Sequence, residues 1–274
     1  MAWRATVLSV LDRLRRSFRV AAALARVSLQ VTLQYRENFL VDGFVGAIRT
    51  GFSVLPTLLV FEHRETLAGW TAPDVILVMG LYLGMHALVS AFIEPNLGEV
   101  VEGIRNGTLD LVLLKPADAQ LLVSTRRVQP SAAWELLGSI VLISWAFSAR
   151  PIPGALDAAI AVGLVGAGLV SIYGLWLLAI CTSFWFVKVD NLRFAMGSVA
   201  DAGRNPLPVY GPVLRLLLTY VIPVGVVTSF PVTALRGEWD PALLASAASI
   251  SLAFALGSRV VWSRALASYT SASS

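Results

Sequence analysis

Asp42, Arg49, His86, Glu135, Asp201 and Arg204 are ionisable residues set in apolar or only mildly polar surroundings. A lone charge near the centre of a bilayer costs about 2.5 to 3.5 kcal/mol even on insertion scales, so such residues pair, snorkel or line a wet cavity. Asp201 and Arg204 are three apart and share one face if that stretch is helical, where they neutralise one another or meet a cargo. Asp42 and Arg49 lie two turns apart on one helix. The carboxylates Asp42, Glu135 and Asp201 could also relay an ion or a proton, as in a secondary transporter, although the sequence shows none of the inverted repeats common in that class.

Other chemistry is missing. No GxxxxGK[ST] loop is present to cradle a nucleoside triphosphate, and no GxSxG elbow to raise a serine nucleophile. The two histidines, His63 and His86, are not at metal-ligand spacing, so neither a metal nor any other cofactor is expected in this chain, and the chain by itself is not expected to be an enzyme. Cys181 is the single cysteine; it rules out an intrachain disulfide and reads as a small buried hydrophobe.

The elements that hold these residues follow from composition. Of 274 residues, 57% are hydrophobic and 14% charged, against roughly a quarter charged in a soluble domain. A spanning helix needs about 20 apolar residues with every backbone group bonded internally. Residues 39–61, 75–93, 131–149, 155–186 and 241–262 meet that requirement. The region 192–235 contains one further crossing, and two readings of it compete. Either the strongly apolar stretch broken by Pro223 and Pro231 crosses, or residues 192–208 cross and that stretch dips in and returns. Both give six crossings. Gly163 and Ala167 form a small-xxx-small pattern expected at a helix-packing face.

Lys and Arg concentrate in cytoplasmic segments. Placing both termini inside puts fifteen of them in the cytoplasm and leaves four, Arg64, Arg150, Arg215 and Arg236, on the other side. The net charge of +4 is thereby explained by membrane topology, and no nucleic-acid partner is expected. A secretory signal is not expected, because the arginine-rich start lacks a compact apolar run and cleavage site. Residues 5–36 pattern instead as an amphipathic helix in the inner headgroup layer, either a plain anchor or a lever that leads motion into the first span.

Residues 94–122 are too long for a simple turn. Leu97, Val100, Val101 and Ile104 recur at helical spacing while Glu99, Glu102 and Arg105 point elsewhere, and Gly107 supplies a stop. Pro116 after Lys115 marks a second break, so the segment forms a knob held near the bilayer by Leu109, Leu111, Leu113 and Leu114. By periodicity it is a docking element or an ordinary amphipathic loop.

Four motifs in order, YRENFLVDGF, NGTLDLVLLKP, FWFVKVDNLRF and LRLLLTYVIPVGVVTSFPVTALRG, resemble the permease subunits of ABC-2-type ABC exporters, most closely a bacterial branch of chains of about this length. The resemblance covers roughly residues 20–265. It implies an all-α membrane protein with six transmembrane helices, N-in/C-in, an N-terminal interfacial connecting helix over 1–38, a six-span domain over 39–264 and a short tail over 265–274. It places a coupling helix at 97–106, with Gly107, Asp110, Lys115 and Pro116 in the motif after it, and makes docking there the favoured reading. It makes 192–208 the fifth span, with Pro223 and Pro231 in an outward re-entrant pair over 209–235. The implied partners are two ATP-binding cassette ATPase subunits, which would hold the ATP and Mg, a second permease subunit, identical or a sister, membrane lipid and a small-molecule cargo. The implied location is the bacterial plasma membrane and the implied activity is efflux of a small hydrophobic, amphipathic or cationic compound.

Overall fold

The structure is a computed structural model and describes residues 36–114, 118–185 and 197–269. The expected N-terminal interfacial helix, and Lys115 and Pro116 of the knob motif, lie outside those residues. The chain forms α1 (Arg36–His63), α2 (Ala72–Leu88), α3 (Glu94–Arg105), α4 (Asp110–Leu113), α5 (Ala119–Ser124), α6 (Ala133–Ser148), α7 (Ala155–Cys181), α8 (Pro212–Leu216), α9 (Val224–Val227), α10 (Ser229–Leu235) and α11 (Pro241–Ser268). Among the described residues no strand forms beyond an isolated bridge between Leu67 and Trp70, which closes a tight turn with Ala68 at φ 51° and Gly69 at φ 82°.

Among the described residues five helices are long and apolar enough to cross a membrane: Phe39–His63, Ala72–Arg105, Pro130–Ser148, Ala155–Phe184 and Pro241–Ser268. The pieces Pro212–Val221 and Val224–Leu235 together pass the same test but are bent by 78°. Pro223 sits buried at that bend. Pro231 breaks nothing: it falls in the first turn of α10, where a missing N–H is harmless.

One expected boundary is corrected. The second span and the coupling helix are not separate elements but one run of 34 residues. The joint is a π-helical turn over Val89–Ile93 that leads into Glu94 and Pro95. The wider turn accommodates a proline that would otherwise interrupt an α-helix. At 1.5 Å per residue the run is about 50 Å long and outreaches a hydrocarbon core by about 20 Å.

The helix ends gather at two poles. At one, Asp74 at the start of α2 bridges Arg150 after α6 and Arg236 after α10, each at 3.5 Å. Arg236 also lies 5.0 Å over the Trp70 ring, and Arg150 donates to the Leu235 carbonyl at 3.0 Å. At the other pole, Trp134 donates to the Phe39 carbonyl at 2.9 Å, and Phe184 meets Trp262 and Tyr269 edge-on. Residue 185 therefore lies at the knob pole and residue 235 at the Asp74 pole.

Close approach rests on glycine. Gly80 and Gly84 of α2 leave space for α6: a Cβ on either would fall 2.8 Å from Ile143 or 2.7 Å from Ser139, whose hydroxyl donates to the Gly80 carbonyl. Gly174 of α7 lies against the backbone of Phe254 in α11, where an added Cβ would be 2.7 Å from the carbonyl oxygen. The expected packing glycine, Gly163, is a correction: it is exposed, and nothing stands within 4 Å of an added Cβ. Helix rotation points it away from the core, while Gly168 and Gly174 point inward.

Candidate functional site

α2 carries Tyr82 and His86 one turn apart on one face, and each organises a polar cluster. Tyr82 donates its hydroxyl to Asp201 Oδ1 at 2.5 Å, and Arg204 Nη2 donates to the same oxygen at 3.0 Å. The Arg204 guanidinium stacks 5.2 Å above the Tyr82 ring. Asp201 and Arg204 are thus an ion pair within a 3-10 turn over Asp201–Arg204.

On the other side, His86 Nδ1 lies 2.8 Å from Glu135 Oε2, and Arg49 donates to Glu135 Oε1. Three helices, α1, α2 and α6, meet at this carboxylate. The Tyr82 and His86 rings are 6.1 Å apart, so the clusters join into one polar ladder from Arg49 to Arg204. Each half pairs one cation with one anion, which removes most of the cost of charges at this depth. Asp42 is not part of the ladder; it is exposed on α1, as are Leu40, Val41, Phe44 and Val45 around it.

A cavity of about 520 Å³ opens beside the ladder, lined by Tyr82, His86, Glu94, Trp176, Asp201 and Ile222 among others. A smaller space of about 40 Å³, also bordered by Tyr82 and His86, is lined by Arg49 and Arg204. Ladder and larger cavity both border α2, whose continuation α3 enters the knob.

The knob has its own core. Leu97 and Val100 are 1% and 2% exposed and pack with Leu109, Val112 and Val123 beneath the ends of α7 and α11. Val101 and Ile104 pack against the same cluster. Buried Asn96 bonds to both backbone groups of Arg127 at 2.6 and 2.7 Å, and Glu99 takes Arg126 and Arg127. Gly107, at φ 67°, ends α3 where the sequence set its stop.

The residues expected at a partner surface therefore divide. Leu97 and Val100 are covered by their own chain, and Glu99 is held by two arginines. Glu102 and Arg105 are exposed, and Asp110 opens α4 at the edge of the knob. Leu109 turns into the knob rather than towards lipid, whereas Leu111 and Leu114 are exposed. Asp118 and Gln120 clasp Arg259 of α11 at 2.5 and 2.8 Å. The Arg259 hydrogen bond holds the Asp118 carboxyl below its ordinary range.

Sequence reasoning missed Tyr82 and Trp176, although the i, i+4 relation of Tyr82 to His86 was a usable signal. It also missed the Gly80 and Gly84 pair, which stands in the sequence as GLYLG.

A helical bundle with several membrane-length helices defines a multi-pass membrane protein. Residues 47–273 match the family described as ABC-2 family transporter protein, and the chain belongs to that family. It is the membrane-spanning part of an ABC transporter, whose ATPase is a partner. No curated protein and no solved structure matches the sequence.

Proposed function

We propose that this chain is the permease of an exporter in the bacterial plasma membrane, with six crossings and both termini in the cytoplasm. Two copies, or this chain and a sister permease, form the pathway, and two ATPase subunits holding ATP and Mg bind from the cytoplasmic side. The crossing before α11 is made by the chain up to about residue 208, and the bent pair after it is re-entrant from outside. Support for this comes from depth: Ile222 at the bend borders the same cavity as Val89 and Glu94, deep in the bundle, while Leu235 sits at the Asp74 pole. The cargo is a small hydrophobic, amphipathic or cationic compound.

The observation that carries this reading is the unbroken helix Ala72–Arg105. It holds Tyr82, His86 and Glu94 at the cavity and presents Glu102 and Arg105 at the knob surface. A push on the knob by an ATPase passes along this helix, through the π turn at Val89–Ile93, to the cavity walls without a break in the chain of helical turns. Such a push acts only through different contacts in two states. In a reconstituted complex, replacing Glu102 and Arg105 together by Ala should lower export about tenfold, in the usual range of coupling free energies, while expression and ATP hydrolysis persist. Unchanged export excludes these residues from coupling. Purification from the native membrane without a stoichiometric P-loop ATPase would instead favour an ion-coupled transporter built on Asp42, Glu135 and Asp201.

A further inference from the structure

The described helices pack mainly as two groups. α2 packs on α6 and α1, whereas α7 packs on α11, α10 and α9. The seam between α2 and α7 holds the larger cavity, bordered by Tyr82, Met85 and Val89 on one side and by Ile172 and Trp176 on the other. At the Asp74 pole two arginines cross between the groups in opposite directions. Arg150, which follows α6, donates to the Leu235 carbonyl of α10 at 3.0 Å, and Arg236, which follows α10, donates to the Gly69 carbonyl before α2 at 3.1 Å. Asp74 stands between them, 3.5 Å from each. Val232 of α10 is fully buried and packs across the same junction with Trp70, Val75 and Ile76.

This crossing is made so that it can come apart. Charge-assisted hydrogen bonds run at about 2.7–2.9 Å, so Asp74 holds both arginines loosely. Its Oδ2 is already taken by the Thr71 N–H and hydroxyl, at 3.3 and 2.8 Å. Arg236 likewise holds Glu238 of its own segment at 2.7 Å. Both keep a partner on their own side if the groups part. Arg150 is the reverse case: its side chain is 9% exposed, and Nε and Nη1 are buried with no hydrogen-bond partner among the described residues. A buried donor without a partner favours a state that wets it. A cleft of about 650 Å³ lined by Asp74, Arg150 and Arg236 already enters from this pole.

We propose that Asp74, Arg150 and Arg236 are a catch that holds the Asp74 end of the seam shut in this structure and releases in each transport cycle. Shut, the crossed arginines and the Val232 contact close the seam on that side. Released, Asp74 keeps Thr71, Arg236 keeps Glu238 and Arg150 gains water. Two arrangements that each satisfy their groups make a two-state element. The catch stands on these contacts alone, and its release in a cycle rests on the exporter reading.

Val232→Cys in a Cys181→Ala background reports the junction, and Ile152→Cys, exposed at the same pole, reports the reagent. The full chain with its co-purified ATPase is placed in nanodiscs and treated with a membrane-impermeant maleimide, without nucleotide and with ATP plus vanadate. Labelling of Val232→Cys should be slow without nucleotide and about tenfold faster with ATP and vanadate, within the range of coupling free energies, while Ile152→Cys does not change. Asp74→Asn keeps an oxygen for Thr71 but leaves two arginines facing each other, and should speed labelling of Val232→Cys about tenfold without nucleotide. Native Cys181, buried at the other pole, should stay unlabelled in an Asp74→Asn chain that retains it, which separates local release from unfolding. Arg236→Gln repeats the comparison if Asp74→Asn does not fold. Labelling as slow in the folded variant as in the unaltered chain overturns the catch. Equal labelling with and without ATP in a complex that hydrolyses ATP overturns its release in the cycle. A missing ATPase is instead a failure of the exporter reading, and the comparison without nucleotide then still decides the catch.

Discussion

Glu135 has one carboxylate and two claimants, Arg49 from α1 and His86 from α2. Its side chain is 13% exposed, so deleting it strands two polar groups at a depth where water does not replace the lost partner. Glu135→Ala should destabilise the purified protein by about 1–3 kcal/mol, nearer the lower figure because the Arg49 side chain is half-exposed. Glu135→Gln, which keeps an oxygen for Arg49 and an amide for His86, should cost less. Thermal unfolding in detergent distinguishes them, and equal melting temperatures for all three proteins would show that the cluster carries no stability. All of these residues could be picked out in the sequence as misplaced charges. That Arg49 meets Glu135 across 86 residues could not, because the pairing depends on how α1 and α6 rotate against each other.

At the scale of elements, two packing decisions divide local from tertiary information. A glycine pattern on a membrane helix marks a possible contact face, but glycine is frequent there whether or not a neighbour arrives. Gly174 touches the Phe254 backbone, which cannot move aside as a side-chain tip can, and Gly163 touches nothing. Gly174→Val should therefore separate α7 from α11 and destabilise by about 3 kcal/mol, at the top of the range for overpacking. Gly163→Ala should leave the melting temperature within about one degree, as most changes away from such contacts do. The reverse order would mean that α7 is rotated from the orientation described. The second decision concerns the joint at Val89–Ile93. Proline at position 95 reads locally as an end, yet the π turn carries the helix past it, and only the three-dimensional course of the backbone shows that span and knob helix are continuous.

For the whole molecule, the two poles turn topology into an accessibility question. Cys181 is fully buried and is the single cysteine, so Cys181→Ala gives a background without reactive thiols. Ile152, 95% exposed, belongs to the Asp74 pole, and Leu114, 80% exposed, to the knob. In intact cells a membrane-impermeant maleimide should label Ile152→Cys, and it should label Leu114→Cys only after permeabilisation. The opposite pattern would invert the bundle and remove the knob from reach of any cytoplasmic ATPase.

By itself the sequence determined that the chain lives in a membrane, that its elements are helices, how many apolar runs it has, and where the knob helix stops. These are local and additive properties: the transfer cost of each side chain, the need of each backbone group for a partner in lipid, and the tolerance of glycine for positive φ at residue 107. Only the tertiary structure decided that five of the six scattered ionisable residues resolve into one ladder and Asp42 stays outside it, that Tyr82 and Trp176 border a cavity with two carboxylates, and that Leu97 and Val100 serve the fold. Those outcomes depend on helix rotation and depth, and residues far apart in the chain share no local signal that sets either.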